Sequence, residues 1–373
     1  MRIATFSYGF GPRWGGAERQ AFRLGLALRR RGHEVLHVTA GTEAEPTDAI
    51  YDGLPLKRIP GWTEGRGRWR ILWGRFLPAL HRWLRSEGRD FDLWHVHGAF
   101  DPSSLPTALN TRRGGVPMVL KHASDREYRV LRRSTHVPAW LARRLHGAAS
   151  LHVTNNPAFA EALQEVPRFG AVEVVPNGVE LPDPASTCSR AALGLPEDGW
   201  IVANVANFHR GKNQELLIRA FAKARCRDRC WLVLAGDGAQ LARCRQVAAQ
   251  LGASERVCFL GRLDGVDALL QAADVFAFPS ASEGMPNALL EAMAHGLPSL
   301  VADVPELTAL VRPEREGRAV PLEPDAWAQA LDAWADAPDR LNALGVAARE
   351  RVRTAFHIDV IAQTYERLYA RLL

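Results

Sequence analysis

The feature that most narrows what this chain can fold into is an alternation of short β-rich runs with longer amphipathic stretches, which begins twice. In the first half the runs Ile3–Ser7, Glu34–Thr39, Leu93–His97, Met118–Lys121, Ser150–Val153 and Val172–Val175 read as strands. Helical patterns such as Ala17–Arg31 and Arg68–Ser86 fall between them. After Pro182 the series restarts, with strands at Ile201–Val205, Trp231–Ala235, Arg256–Leu260, Val275–Phe278 and Ser299–Ala302. Strands separated by helices of ten to fifteen residues imply parallel βαβ units. Two such series imply two doubly wound α/β domains. The seam falls in residues 175–184, VPNGVELPDP, which are dense in turn formers. This predicts a first domain over 1–179 and a second over 180–358.

A length of 373 residues is long for one core and ordinary for two. Apolar residues at 47% and charged residues at 24% exclude a disordered chain. The formal net charge of +6 suits anionic partners, among them nucleotide diphosphates, phospholipid surfaces and nucleic acid, without choosing one. The five cysteines, at 188, 226, 230, 244 and 258, are odd in number and follow no secretory signal, which argues for reduced thiols. Cys226 and Cys230 lack a second ligand pair at zinc-site spacing, so a structural role is expected for them. No run approaches eighteen apolar residues, so no transmembrane helix is predicted. These features point to the cytoplasm, with peripheral attachment at the inner membrane face left open.

Open α/β sheets bind ligands beyond the carboxyl ends of their strands. The richest motif sits at such a place: residues 278–298, FPSASEGMPNALLEAMAHGLP. A strand ends near Phe278, a loop of small residues follows, and Pro286 suits the first turn of a helix. Gly284, Met285, Pro286 and Asn287 would then form the loop and helix start. The free N–H groups there, aligned with the helix dipole, make a phosphate site. Glu283 stands before the helix, within reach of a sugar hydroxyl. Glu291 lies more than a turn inside, where a carboxylate accepts a pair of ribose hydroxyls. Either glutamate alone reads equally as a residue favouring a helix N-terminus or a solvated face. With Gly284, Pro286 and the AHGLP exit, the pair fits a nucleotide sugar.

The segment SEGMPNALLEAMAHGLP resembles the Glu-x7-Glu signature of the family 4 retaining glycosyltransferases of the GT-B fold. Other blocks agree in order and spacing across the chain: GGAERQAFRLGLALRRRGHEV (15–35), VHG (96–98), VVPNGVE (174–180), VANFHRGKNQELLIRAF (205–221), LVLAGDGA (232–239) and FLGRLDGVDALLQAADVFAFPS (259–280). The resemblance implies a metal-independent hexosyltransferase with no cofactor, a UDP-linked sugar as donor and a saccharide or lipid-linked acceptor, with no nucleic acid partner. It also implies that the helical run Asp359–Leu373 returns to complete the first domain.

By the same resemblance Gly16 lies near the donor phosphates, and Leu260 and Gly261 contact the base through backbone groups. Lys212 matches the lysine that neutralises the departing diphosphate. The family's arginine is replaced by Asn207, which leaves two readings open: Arg210 supplies the missing charge, or Asn207 donates one hydrogen bond at lower charge. His122 matches the histidine that touches the transferred sugar, His97 is a weaker candidate, and His95 reads as ordinary sheet. The catalytic set is thus Glu283, Lys212 and His122. No His/Cys cluster at ligand spacing is present, and no carboxylate is placed as a covalent nucleophile. Front-face attack, with the leaving phosphate taking the acceptor proton, is what the resemblance implies.

The stretch Arg66–Arg85 (RGRWRILWGRFLPALHRWLR) carries an apolar stripe at helical spacing amid arginines. It reads either as a helix lying on anionic lipid or as an ordinary helix packed on the first sheet. Arg129–Arg144 adds basic charge and suggests an anionic or lipid-linked acceptor in polysaccharide, lipopolysaccharide or glycolipid assembly. Two other readings remain open: a nucleotide-sugar epimerase or phosphorylase on the same architecture, and a non-catalytic binding protein acting through its arginines.

Overall fold

The computed structural model describes residues 1–10, 15–42, 44–61, 72–99, 101–113, 115–122, 146–166, 169–183 and 189–373. The chain divides into two compact units, Met1–Gly178 with Ile358–Leu373, and Val179–His357.

The first unit runs β1 (Arg2–Phe6), α1 (Gly16–Arg30), β2 (Glu34–Gly41), β3 (Asp48–Tyr51), β4 (Leu54–Pro60), α2 (Leu77–Arg85), β5 (Leu93–His97), α3 (Ser104–Arg112), β6 (Met118–His122), β7 (Leu151–Thr154), α4 (Pro157–Gln164) and β8 (Val172–Val174). Its sheet has the order β3-β4-β2-β1-β5-β6-β7-β8 and is parallel except for β3, which pairs antiparallel with β4. The chain winds outward from β1 through β2, then returns to β5 on the other side, so the order reverses between β1 and β5.

The second unit runs β9 (Trp200–Val205), α5 (Gln214–Lys223), β10 (Cys230–Ala235), α6 (Leu241–Gln250), β11 (Val257–Gly261), α7 (Asp267–Ala272), β12 (Val275–Phe278), α8 (Asn287–Ala294), β13 (Ser299–Ala302), α9 (Pro305–Thr308), β14 (Gly317–Val320), α10 (Pro324–Ala335) and α11 (Pro338–Arg351). All its strands are parallel, in the order β11-β10-β9-β12-β13-β14, and the order reverses between β9 and β12. Strands buried on both faces should be apolar throughout, and β12 (VFAF) and β13 (SLVA) are buried at every position.

After His357 the chain re-enters the first unit as α12 (Ile358–Ala370). Ile361, Tyr365 and Tyr369 join Phe22, Leu24 and Leu28 of α1 in covering one face of the first sheet. The Tyr369 hydroxyl and His95 Nδ1 share a 2.6 Å hydrogen bond, and Glu366 receives Arg31 and His33, each at 2.7 Å. The opposite face is filled by Phe76, Leu80, Trp83 and Leu84 against Phe6 and Trp94. Phe76, Leu80, Trp83 and Leu84 of the Arg/Trp stretch thus belong to the core, as the ordinary-helix reading has it; residues 62–71 lie outside the described residues. So does Arg129–Arg144. No helix among the described residues is long and apolar enough to cross a membrane.

Candidate active site

Where strand order reverses, the loops leaving two adjacent strands diverge to opposite faces and open a crevice at the carboxyl edge. In the second unit that place lies between β9 and β12. The loop after β9 (206–213) and the loop after β12 (279–286) meet there and are stitched together. Ala281 N–H donates to the Gly211 carbonyl at 2.9 Å, and the Asn213 amide donates to the Pro279 carbonyl at 2.9 Å. Asn213 stands at φ 53°, a left-handed conformation that Asn tolerates better than most residues. That conformation turns the chain into α5 while leaving the side chain free for Pro279.

Across this stitched pair of loops Lys212 Nζ forms an ion pair with the Glu283 carboxylate. The two side chains are only 16% and 11% exposed, so each charge depends on the other far more than a surface pair would. The same ammonium lies 5.3 Å from the centroid of the Phe278 ring, a cation–π contact. Lys212 and Glu283, 71 positions apart in sequence, are therefore one unit in space.

Directly after Glu283 come Gly284, Met285 and Pro286, then α8. The helix begins at Asn287, so Pro286 is its cap residue rather than part of its first turn. A proline cap offers no side-chain acceptor, and the first N–H groups of α8 carry no side-chain cap. One turn on, Glu291 is 6% exposed, which removes the solvated-face reading for it. Asn207, at the exit of β9, is exposed, and its side chain has no partner among the described residues.

Leu260 and Gly261 end β11, two strands along the same carboxyl edge. The Gly261 carbonyl accepts from Gly236 N–H at 2.7 Å, and Phe208 N–H donates to the Asp237 carbonyl at 2.8 Å. A β-carbon on Gly236 would run into the Ala206 carbonyl, and one on Gly238 into Phe208. These two glycines let the loops after β9 and β10 pack backbone against backbone. Arg210 does not join Lys212. It lines a separate hollow with His209, Arg219 and Arg243.

Gly16 and His122 belong to the first unit. Gly16 opens α1 after the Gly15 cap, whose N–H is held by the Glu18 carboxylate at 2.9 Å. His122 ends β6; it is 1% exposed, and its Nε2 lies 3.0 Å from His152 Nδ1. Burial, then the neighbouring His152 and His146, push its pKa well below the ordinary histidine value. His97 is likewise buried, with neither ring nitrogen partnered among the described residues.

Asp101, which motif reading did not single out, bridges the two loops at the β1/β5 reversal. It accepts from Tyr8 N–H at 2.5 Å and from Ser103 N–H at 2.8 Å, and burial pushes its pKa up to about 6. The available signal was its place just past a strand end at a reversal of strand order.

The carboxyl-edge geometry and the doubly wound units are those of the GT-B glycosyltransferases. The profile described as glycosyltransferase family 4 matches residues 14–182, and that described as glycosyl transferases group 1 matches residues 186–351. D-inositol 3-phosphate glycosyltransferase of Nocardia farcinica (strain IFM 10152) is 31% identical over 367 residues, covering 90% of this chain and 80% of the relative. EpsF of Bacillus subtilis (strain 168), which carries a glycosyltransferase designation, is 30% identical over 241 residues, 61% of each chain. Among solved structures, sucrose-phosphate synthase from Thermosynechococcus elongatus superposes with a TM-score of 0.82 at 24% identity, covering 100% of this chain and 98% of that one. The chain belongs to the group 1, family 4 glycosyltransferases.

Proposed function

We propose that this chain is a retaining glycosyltransferase that moves a sugar from a nucleoside-diphosphate sugar, UDP-linked, to a hydroxyl of a saccharide or lipid-linked acceptor. The observation that carries the reading is the Lys212–Glu283 pair, which faces the uncapped start of α8 at a reversal of strand order. In the absence of donor, each charge neutralises the other. A diphosphate arriving at α8 offers Lys212 a new anion, which frees Glu283 to accept a hydrogen bond from a hydroxyl of the sugar. Exchange of partners keeps either charge from being stranded in a half-buried site.

As the glycosidic bond lengthens, negative charge grows on the diphosphate, and Lys212 together with the α8 N–H groups stabilises it there. On this reading Glu291 grips the ribose, and the loop at Leu260–Gly261 meets the base. The acceptor hydroxyl enters on the face the diphosphate leaves and gives its proton to the departing phosphate, which accounts for retention without a protein nucleophile. Neither metal nor cofactor has a part in this scheme. The net charge of +6 and the similarity to an enzyme named for inositol 3-phosphate favour an anionic acceptor, as in polysaccharide, lipopolysaccharide or glycolipid assembly. The working compartment is the cytoplasm, with any membrane contact peripheral.

Thermal shift against a panel of nucleoside diphosphates and their sugars identifies the donor, because a specific ligand stabilises in proportion to its occupancy. With the donor known, Lys212→Ala and Glu283→Ala are each expected to lower kcat about a hundredfold or more, the cost of removing one preorganised charge. Chelator should leave turnover intact, and NMR of the first-formed product should report the donor's anomeric configuration. Near-normal turnover in either variant, or an inverted product, removes the mechanism.

A further inference from the structure

The exit of β9 carries a second concentration of positive charge that the donor scheme leaves unused. Where α5, α6 and α10 begin, the surface holds a hollow of about 540 Å³, the size of a small-molecule site. Its wall includes Arg210, Arg219 and Arg243, with Glu215 among them. Lys212 and Glu283 are not part of it.

The charges in this hollow are arranged rather than scattered. Arg219 donates to Glu215 Oε1 from Nη2 at 2.6 Å and from Nε at 3.1 Å. Arg243 donates from Nε to Oε2 at 3.3 Å. One carboxylate therefore orients two guanidinium groups, whose side chains remain 39% and 44% exposed. The Arg210 carbonyl accepts from Asn213 N–H, while its guanidinium has no partner among the described residues. Three arginines against one glutamate leave a surplus of two positive charges. The wall also contains Asn213, Gln240 and Pro324, which stand at the starts of α5, α6 and α10, and none of these helices carries a side-chain cap. Asn213 is the cap residue of α5, but its backbone is left-handed and its amide donates to Pro279, and its side chain makes no cap hydrogen bond. Oriented guanidinium forks beside open N–H groups match the oxygens of a phosphate ester.

We propose that this hollow is a second anion site, which binds a phosphate ester through Arg210, Arg219 and Arg243, with Glu215 holding two of the guanidinium groups in place until the ester arrives. The ester belongs to a small phosphorylated molecule or to a lipid headgroup, and the two sources separate experimentally.

The full chain in a Lys212→Ala background, which removes the cation of the donor site, is titrated with a hexose 6-phosphate by calorimetry. It is also sedimented with vesicles of phosphatidylglycerol in phosphatidylcholine. The double variant Arg219→Ala/Arg243→Ala should weaken binding of the responding probe about tenfold or more, since each lost charged hydrogen bond is a substantial share of such an affinity. Glu215→Gln should tighten it, because both guanidinium groups lose their competing anion. A structural role for Glu215 predicts no gain. Response to the hexose phosphate identifies a small-molecule site, and response to the vesicles alone a headgroup site. If neither probe binds, or if the variants bind as the parent does, the proposal fails.

Discussion

Lys212 and Glu283 gain their meaning from each other, and Glu291 gains its meaning from burial. A carboxylate only 6% exposed one turn into α8 is not there to face water. If it holds ribose hydroxyls, Glu291→Gln should raise the donor KM about tenfold or more while kcat changes less, because a charged acceptor becomes a neutral one. Equal losses in kcat and kcat/KM would instead make it a transition-state group. The three residues of the candidate site could be singled out in sequence because they fall in one short block or immediately after a strand. What was not legible was their partnership, since nothing in a linear pattern pairs residue 212 with residue 283. Arg210 shows the converse. Its place two residues before Lys212 suggested a shared task, but the turn after β9 sends it into another hollow. Asp101 escaped notice because its role depends on the Tyr8 backbone, far away in sequence.

The reversal at β9/β12 brings two loops together, and a comparable economy governs how α8 ends. Gly296, at φ 75°, closes the helix in a left-handed turn, and α11 crosses it so closely that a β-carbon on Gly345 would strike the Gly296 carbonyl oxygen. Helix propensity alone makes Gly345→Ala stabilising by about 1 kcal/mol. The contact argues the opposite sign, because overpacking of a close crossing costs about 1–3 kcal/mol. We expect the contact to prevail and the thermal transition of the second unit to fall by several degrees. A rise in Tm would show that α11 moves away at little cost.

At this scale every strand read from the alternation of apolar runs is present, with ends shifted by a residue or two. The strands that escaped were β3, β4 and β14. β3 (DAIY) is an edge strand with no fully buried residue, β4 (LPLKRIP) carries two prolines, and β14 (GRAV) is four residues opening on glycine. None has the apolar run that marks a central strand, and their pairing is decided by neighbours already in the sheet.

The two units differ most in what their cores tolerate. His37, His95, His97, His122, His146 and His152 are all buried, and all belong to the first unit. Burial lowers His37 and His152 to about 3 and His146 to about 4, with His95, His97 and His122 held well below the ordinary value. Below pH 6.5 the unfolded chain takes up protons that the folded unit refuses. Stability therefore falls with acid, by up to about 1.4 kcal/mol per pH unit for each histidine. Asp101 works against this trend. Its raised pKa of about 6 means that the folded form is protonated first, which returns stability between pH 6 and 4 and offsets one histidine. Calorimetry from pH 7 to 4.5 should show one transition moving steeply downward and another holding its place until the carboxylates titrate. Two transitions sinking in parallel would contradict this assignment.

The seal on the first sheet comes from α12, which sequence places after the whole of the second unit. A ribosome therefore delivers β1 to β8 early, then completes an entire β9–β14 unit, and only afterwards supplies Ile361, Tyr365 and Tyr369. For most of synthesis the first sheet presents an apolar face only partly covered, by α1, and a His95 ring without its tyrosine. Folding of the nascent chain should consequently run backwards relative to its order of manufacture, with the half made later reaching its final form first.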